Sequence, residues 1–267
     1  MNEIGAEPRI DPRAPTVYGV LAALEEELGP LRVWAAEHGG QRVRSLGVTL
    51  ERSVSALGHA GPPAEVLVAR SGVGKVAAAH GAAALLAAGA QAILVVGTCG
   101  GLDRQTPVGA LVHCGRALQW DLAVRQGREL LPDAALLAAW LVVAPGSVGQ
   151  MLTADRPAIR LLERWRRARA VRREGARPAR MPGGRPGELL PWSAVADMET
   201  AAVAAVAARA GVPWAALRAV TDSARVGDAG AFLKHLPTQG GRAAATVPML
   251  LREITCRRLA APNLDLP

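Results

Sequence analysis

At 267 residues and 50% hydrophobic content, the chain is long enough for one large domain with a sizeable core. Its formal net charge of +8 invites a nucleic-acid reading. However, lysine occurs only at Lys75 and Lys234, and much of the excess sits in one run, "RWRRARAVRREGARPARMPGGRPG", with no Phe or Tyr to stack on bases.

Arginine in place of lysine, beside heavy alanine use, reads as codon bias in a GC-rich genome. The basic run reads as a solvated insertion around 169–190, and nucleic acid is not the expected partner. The start, "MNEIGAEPRIDPRAP", has no basic region followed by an apolar stretch, so residues 1–15 are expected to be a polar leader and not a secretory signal. The most apolar windows, Ala82–Gly101 and Ala201–Val220, are broken by Gln91, Arg209, Pro213, Arg218 and several glycines. A bilayer span needs about 20 mostly apolar residues, so no membrane insertion is expected. Cys99, Cys114 and Cys256 form no metal-ligand pattern and are odd in number. They imply neither a zinc site nor a disulfide framework, and point to a reducing, cytoplasmic compartment.

In chain order, "TVYGVLAAL" reads as a strand and "EEELGPLRVWAAEHG" as a helix start. "AEVLVARSGVGK" is a strand with a glycine turn, and "VAAAHGAAALLAAG" a helix closing on Gly89. "AQAILVVGTCGGL", "VGALVHCGRALQWDL" and "AWLVVAPGS" are further strands. Asp155–Ala168 is an amphipathic helix that leads into the basic insertion. "WSAVADME" is a strand feeding an Ala/Val-rich helix, "VPWAALRAVTD" is the last strand, and Gly240–Leu259 is a closing helix. Continuous apolar strands alternating with helices predict one α/β domain over 16–259, its sheet covered on both faces, with a short tail at 260–267. Ligands of such sheets collect at the carboxyl ends of strands. Glu27, Thr98, Asp197, Glu199 and Asp222 all fall at or just beyond such ends. In "VADMETAAVAAV" the two acids either cap the helix or hold something polar in a dry pocket; capping alone does not require Met198 between them.

The ordered set "GVLAALEEEL", "SGVGKVAAAHGA", "GTCGGL", "VGALV", "ADMETAAVA" and "VPWAALRAVTDSA" resembles the purine nucleoside phosphorylase superfamily, and within it the 5′-methylthioadenosine/S-adenosylhomocysteine nucleosidase branch. The resemblance runs from Val17 to about Leu236 and leaves out the leader and the insertion. It implies a central mixed, twisted β-sheet flanked by helices, no cofactor, a small nucleoside substrate and a homodimer. It also implies roles for particular residues. Glu27 activates water where phosphorylases hold phosphate, and Thr98 and Arg218 help it. Glu199 accepts hydrogen bonds from the ribose hydroxyls, and Met198 packs under the sugar. Asp222 holds a proton against purine N7, and Phe232, the only phenylalanine, closes over the 5′ side. Charge alone agrees with water over phosphate beside Glu25–Glu27. The plainer alternatives are first-turn acids complementing a helix dipole and, for Arg218, a buried partner of one acid. Asp197 is expected to be mainly structural.

The sequence departs from the family in three places. The resemblance puts the family's stacking aromatic in "GSVGQMLTAD", so Leu152 and Thr153 are expected to bind substrate, but no aromatic stands there. "QWDLA" puts Trp120 and Leu122 where the family has a more polar stretch; both are candidate dimer-interface residues. The basic insertion has no counterpart. Futalosine hydrolase and adenosylhopane nucleosidase share the fold and chemistry that the resemblance implies, so their nucleosides stand beside methylthioadenosine and S-adenosylhomocysteine as substrates. A phosphorylase, and a non-catalytic nucleoside- or nucleic-acid-binding protein on the same scaffold, are the other readings.

Overall fold

The computed structural model describes residues 17–55, 63–102, 106–122, 129–155, 192–222 and 229–260. The leader, the basic insertion, the tail and the helix expected beyond Asp155 lie outside them. Apolar, β-rich runs form strands β1 (Val17–Ala22), β4 (Ala64–Arg70), β5 (Ala92–Gly101) and β10 (Trp214–Asp222), nearly all of whose residues are buried. Their continuous hydrophobicity suits a sheet covered on both faces. One layer is α1 (Glu25–Glu37), α3 (Ala134–Val143) and α6 (Val247–Ala260), which bury Leu31, Trp140 and Leu250 against Val20, Val66 and Leu94. The other is α2 (Lys75–Ala87) and α4 (Thr200–Arg209), which bury Leu85 and Val203 against Leu21, Leu67 and Ile93. Adjacent residues of one strand thus serve opposite layers, as the period of two requires.

The sheet is mixed and closes on itself at one end. β5 pairs in parallel with β1 and with β10, and antiparallel with β9 (Trp192–Asp197). β10 runs antiparallel to β6 (Leu111–Gln119), which pairs in parallel with β8 (Ser147–Thr153), and β8 pairs in parallel with β9. Five strands therefore form a ring, from which β1, β4 and the hairpin of β2 (Gln41–Ser45) and β3 (Val48–Ser55) extend as an open wing. A short strand, β7 (Glu129–Leu130), pairs with β6. Among the described residues no helix is long and apolar enough to cross a membrane.

Strands β2, β3 and β7 have no counterpart in the sequence expectation, and three further elements differ from it. The strand expected at "AWLVVAPGS" is the last part of α3, followed by a separate strand, β8. The β-branched pair Val142–Val143 suggests extended chain, but Asp133 caps the helix by accepting the N–H of Leu136 at 2.8 Å, and the alanines and leucines behind it carry the helix to Val143, two residues before Pro145. A helix, α5 (Ala229–Gln239), precedes the closing segment, despite a glycine and Pro237 within it. The closing segment itself begins with two single 3₁₀ turns, Gly240–Arg242 and Ala244–Thr246. There Gly241 lies so close to Pro30 of α1 that a Cβ would come within 2.5 Å of its ring.

His113 on β6 is buried between these layers. Its Nε2 donates to the Ala144 carbonyl at 2.7 Å, and its Nδ1 has no partner among the described residues. Burial pushes its pKa down to about 4, against the opposing pull of that hydrogen bond. The folded state thus holds the ring neutral, while the unfolded chain takes up a proton near the ordinary value of about 6.5. The resulting stability is complete above about pH 6.5 and is lost as the pH falls through about 4. The denaturant midpoint should decline across that window, and His113→Gln, which keeps a donor but cannot titrate, should flatten the decline relative to wild type.

Candidate active site

β5 changes partner along its length. Ala92–Val95 pair with β1, and Gly100–Gly101 pair with β9. Between them the strand has an open edge, and β1 ends opposite it. Glu27 fills this gap. One carboxylate oxygen accepts the backbone N–H of Thr98 and its hydroxyl, each at 2.7 Å, and the other accepts the N–H groups of Ala23 and Leu24, each at 3.0 Å. A carboxylate has about four acceptor sites, and all are used. The other first-turn acids behave differently: Glu25 is exposed and pairs with Arg32 at 2.6 Å, and Glu26 is exposed.

The approach depends on Gly97. Its φ of +138° lies where side chains are disfavoured, and a Cβ there would come within 2.7 Å of both Glu27 Oε1 and Arg218 Nη1. Arg218, from the middle of β10, is only 1% exposed. Its Nη2 donates to Asp197 Oδ2 at 2.9 Å and lies 3.6 Å from Glu199 Oε2, while Nε and Nη2 reach Thr200 Oγ1 at 3.2 and 3.0 Å. Its pKa is raised, because Asp197, Glu199 and Glu27 together outweigh the burial that opposes the charge.

Asp197 and Glu199 have different local tasks. Asp197 accepts the N–H of Thr200 at 2.8 Å at the start of α4, and the hydroxyl of Thr153 at 2.5 Å. Among the described residues Glu199 accepts one backbone bond, from Gly74 at 3.0 Å. Burial, with help from Asp197 and Glu27, pushes its pKa up to about 7 against the pull of Arg218 and the Gly74 N–H. Asp222 sits at the end of β10 beyond a register shift between Val220 and Asp222. In a regular strand Thr221 and Asp222 would face opposite sides; the bulge brings both to one cavity. Thr221 Oγ1 lies 3.1 Å from Asp222 Oδ1.

That cavity, about 430 Å³, is walled by Glu27, Thr98, Asp197, Met198, Glu199, Thr221, Asp222 and Phe232, with Val73, Leu233 and several small residues completing it. Of the residues singled out in the sequence, Glu27, Thr98, Met198, Glu199, Asp222 and Phe232 meet here. Arg218 lies behind the wall. Leu152 and Thr153 are not among its described lining residues. Leu152 is fully buried with Leu118 and Ala196, and the Thr153 hydroxyl is occupied by Asp197 and by the N–H of Ala201 at 3.0 Å. Sequence reasoning passed over Val73, Thr221 and Gly97, each within a quoted motif, and Leu233, the residue after Phe232. No lysine or arginine is among the described lining residues.

The model of the phosphorylase superfamily matches residues 17–178 and 168–254. The chain belongs to the phosphorylase superfamily. No curated protein matches it. Among solved structures, this superfamily member is similar to the S-adenosylhomocysteine nucleosidase of Streptococcus pyogenes in complex with 5-methylthiotubericidin, at 24% identity and a TM-score of 0.72 over 90% of this chain and 98% of that one. It is similar to the 5′-methylthioadenosine/S-adenosylhomocysteine nucleosidase of S. pneumoniae with the inhibitor MT-ImmA, at 21% identity and a TM-score of 0.71 over 90% and 100%. It is also similar to a futalosine hydrolase mutant of Helicobacter pylori, at 20% identity and a TM-score of 0.70 over 91% and 99%.

On this superfamily scaffold, Cys99 also faces the cavity, but burial holds its thiol well above the usual range, so it is not a ready nucleophile. Among the described residues no cluster of His, Cys, Asp or Glu could hold a metal ion. The chemistry available at the wall is that of carboxylates.

Gly97→Ala should lower stability by about 2 kcal/mol or more, from combined backbone strain and overlap with Glu27 and Arg218. Gly211→Ala isolates the backbone effect, since Gly211 has a φ of +66° and open space around it. It should cost only about 1 kcal/mol in the same denaturant titration.

Proposed function

We propose that the chain is an N-ribosyl hydrolase that splits a 5′-substituted adenine nucleoside of the methylthioadenosine or S-adenosylhomocysteine type into adenine and a ribose derivative. The observation that carries the reading is the pairing of Glu27 and Asp222 on one anionic cavity whose described wall has no cation to hold phosphate. In this reading water gives a proton to Glu27 as its oxygen bonds to C1′. The electron pair of the breaking C–N bond passes to the purine, and Asp222 delivers a proton to N7. Base and acid act from opposite sides of one bond, as in inverting glycosidases. Glu27 has no spare acceptor site, so the water takes the place of the Thr98 hydroxyl, which can rotate while the backbone bonds stay. Glu199 receives the ribose hydroxyls in charge-assisted bonds, and the anionic wall lowers the energy of the oxocarbenium-like transition state. Met198 and Phe232 supply apolar surface, and the substituent at C5′ points toward Val73 and Leu233.

Adenine release from methylthioadenosine, measured with and without phosphate, tests this directly. We expect release without phosphate, and a loss of about 10²–10⁴-fold in kcat for Asp222→Asn with nucleoside binding largely kept. Strict phosphate dependence would make the chain a phosphorylase, and no release from any adenine nucleoside would make it a binder.

The cavity mouth carries Val73 and Leu233, 54% and 68% exposed. Such apolar surface beside a functional opening supports a homodimer in which a second copy covers it, with Trp120 and Leu122 at the contact. Sedimentation at micromolar concentration should give a dimer; a monomer would remove this part of the proposal.

A further inference from the structure

Lys75 is one of only two lysines, and it opens α2. A cation in the first turn meets the positive end of the helix dipole. The turn has no acid of its own, and Gly74 at the N-cap has no side chain to offer. Two distant carboxylates supply what is missing. Lys75 Nζ lies 2.6 Å from Asp121 Oδ1 and 3.3 Å from Asp155 Oδ2. Asp155 Oδ1 accepts the backbone N–H of Lys75 at 3.0 Å, and the Asp155 N–H donates to Asp121 Oδ2 at 3.1 Å. The chain ends leaving β4, β6 and β8 are thereby pinned at one point. The two acids outweigh the partial burial of the ammonium and raise its pKa.

One residue back, Gly74 holds φ 98° and ψ 163° and directs its N–H to Glu199 Oε1 at 3.0 Å. Glycine reaches this conformation easily and leaves it as easily. What keeps the N–H aimed is the anchored residue beside it. We propose that Lys75, chelated by Asp121 and Asp155, is a positioning residue that fixes the Gly74 N–H on Glu199 and so sets how that carboxylate is presented to the cavity. The kinetic part of this inference rests on the nucleosidase reading; the electrostatic part does not.

The groups acting on Glu199 are Arg218 from β10, Asp197 from β9, Glu27 from α1 and the Gly74 N–H. Arg218 and the N–H favour the ionised form, and the two acids and burial oppose it. Loss of the N–H therefore moves the Glu199 midpoint upward from about 7. Below the midpoint, an upward move of about half a unit lowers the ionised fraction about threefold.

The test uses the full chain with side-chain ¹³C-labelled glutamate, the Glu199 signal being assigned by its absence in Glu199→Gln. In Lys75→Met the Glu199 midpoint should rise by about half a unit. KM for methylthioadenosine near pH 6 should rise about threefold, with kcat changed less than about twofold. Lys75→Arg, which keeps the charge, should restore both. Asp155→Asn keeps Lys75 and should move the midpoint in the same direction, so it serves if Lys75→Met does not fold. A folded Lys75→Met or Asp155→Asn with the wild-type midpoint overturns the proposal, and a lower melting temperature with an unmoved midpoint assigns Lys75 to stability alone. If no adenine nucleoside is cleaved, the nucleosidase reading falls while the titration still decides this one.

Discussion

The site depends on one carboxylate filling the gap where two parallel strands part. β1 and β5 are paired at their lower ends and separate above Val95, leaving the N–H groups of Ala23, Leu24 and Thr98 facing a buried space. Unpaired backbone donors in such a place are costly. Glu27 satisfies all three and so acts as a missing stretch of strand. The same side chain is therefore both a structural tie and the proposed base. Gly97 is bare because any side chain there would displace this tie.

The tie brings charge with it, and the surrounding residues answer that charge. Three carboxylates, Glu27, Asp197 and Glu199, are gathered around one buried guanidinium. One cation cannot balance three anions in a dry setting, and the excess falls on the acid with the fewest donors. Asp197 has Thr153, Thr200 and Arg218, and Glu27 has four donors. Glu199 has the Gly74 N–H and a more distant guanidinium, and burial with its acidic neighbours pushes its pKa up to about 7. An acid left short of donors is well suited to accept them from a ligand, and ribose hydroxyls are donors of the right kind.

Much of this was legible in the sequence, and the limits follow physical lines. The apolar strands and the glycine turns after them pointed to the α/β class, and the acids at strand ends supplied the carboxylates of the cavity wall. Periodicity could not separate α3 from a strand, because a helix that is apolar all round and ends in two valines has no polar face to betray it. Leu152 and Thr153 were expected at the ligand because the family resemblance puts a base-stacking residue at that place in the chain. In three dimensions the Leu152 side chain points into the cluster with Leu118, and the Thr153 hydroxyl is spent on Asp197. The β10 bulge that turns Asp222 into the cavity leaves no mark in composition. Nor does the salt-bridged knot at Lys75, whose partners lie 46 and 80 residues further along the chain.

The ring of five strands also has a consequence for the order in which the protein can be made. Among the described strands, the upper part of β5 pairs with β9 and β10, which begin at Trp192 and Trp214. A nascent chain leaving the ribosome will have β1 to β8 in hand well before either arrives. Until then the apolar edge of β5 has no native partner, and Glu27 has no Arg218 beneath it. The cavity is thus a late product of synthesis, and a fragment ending before Trp192 would carry the open wing of the sheet without the ring that holds the site.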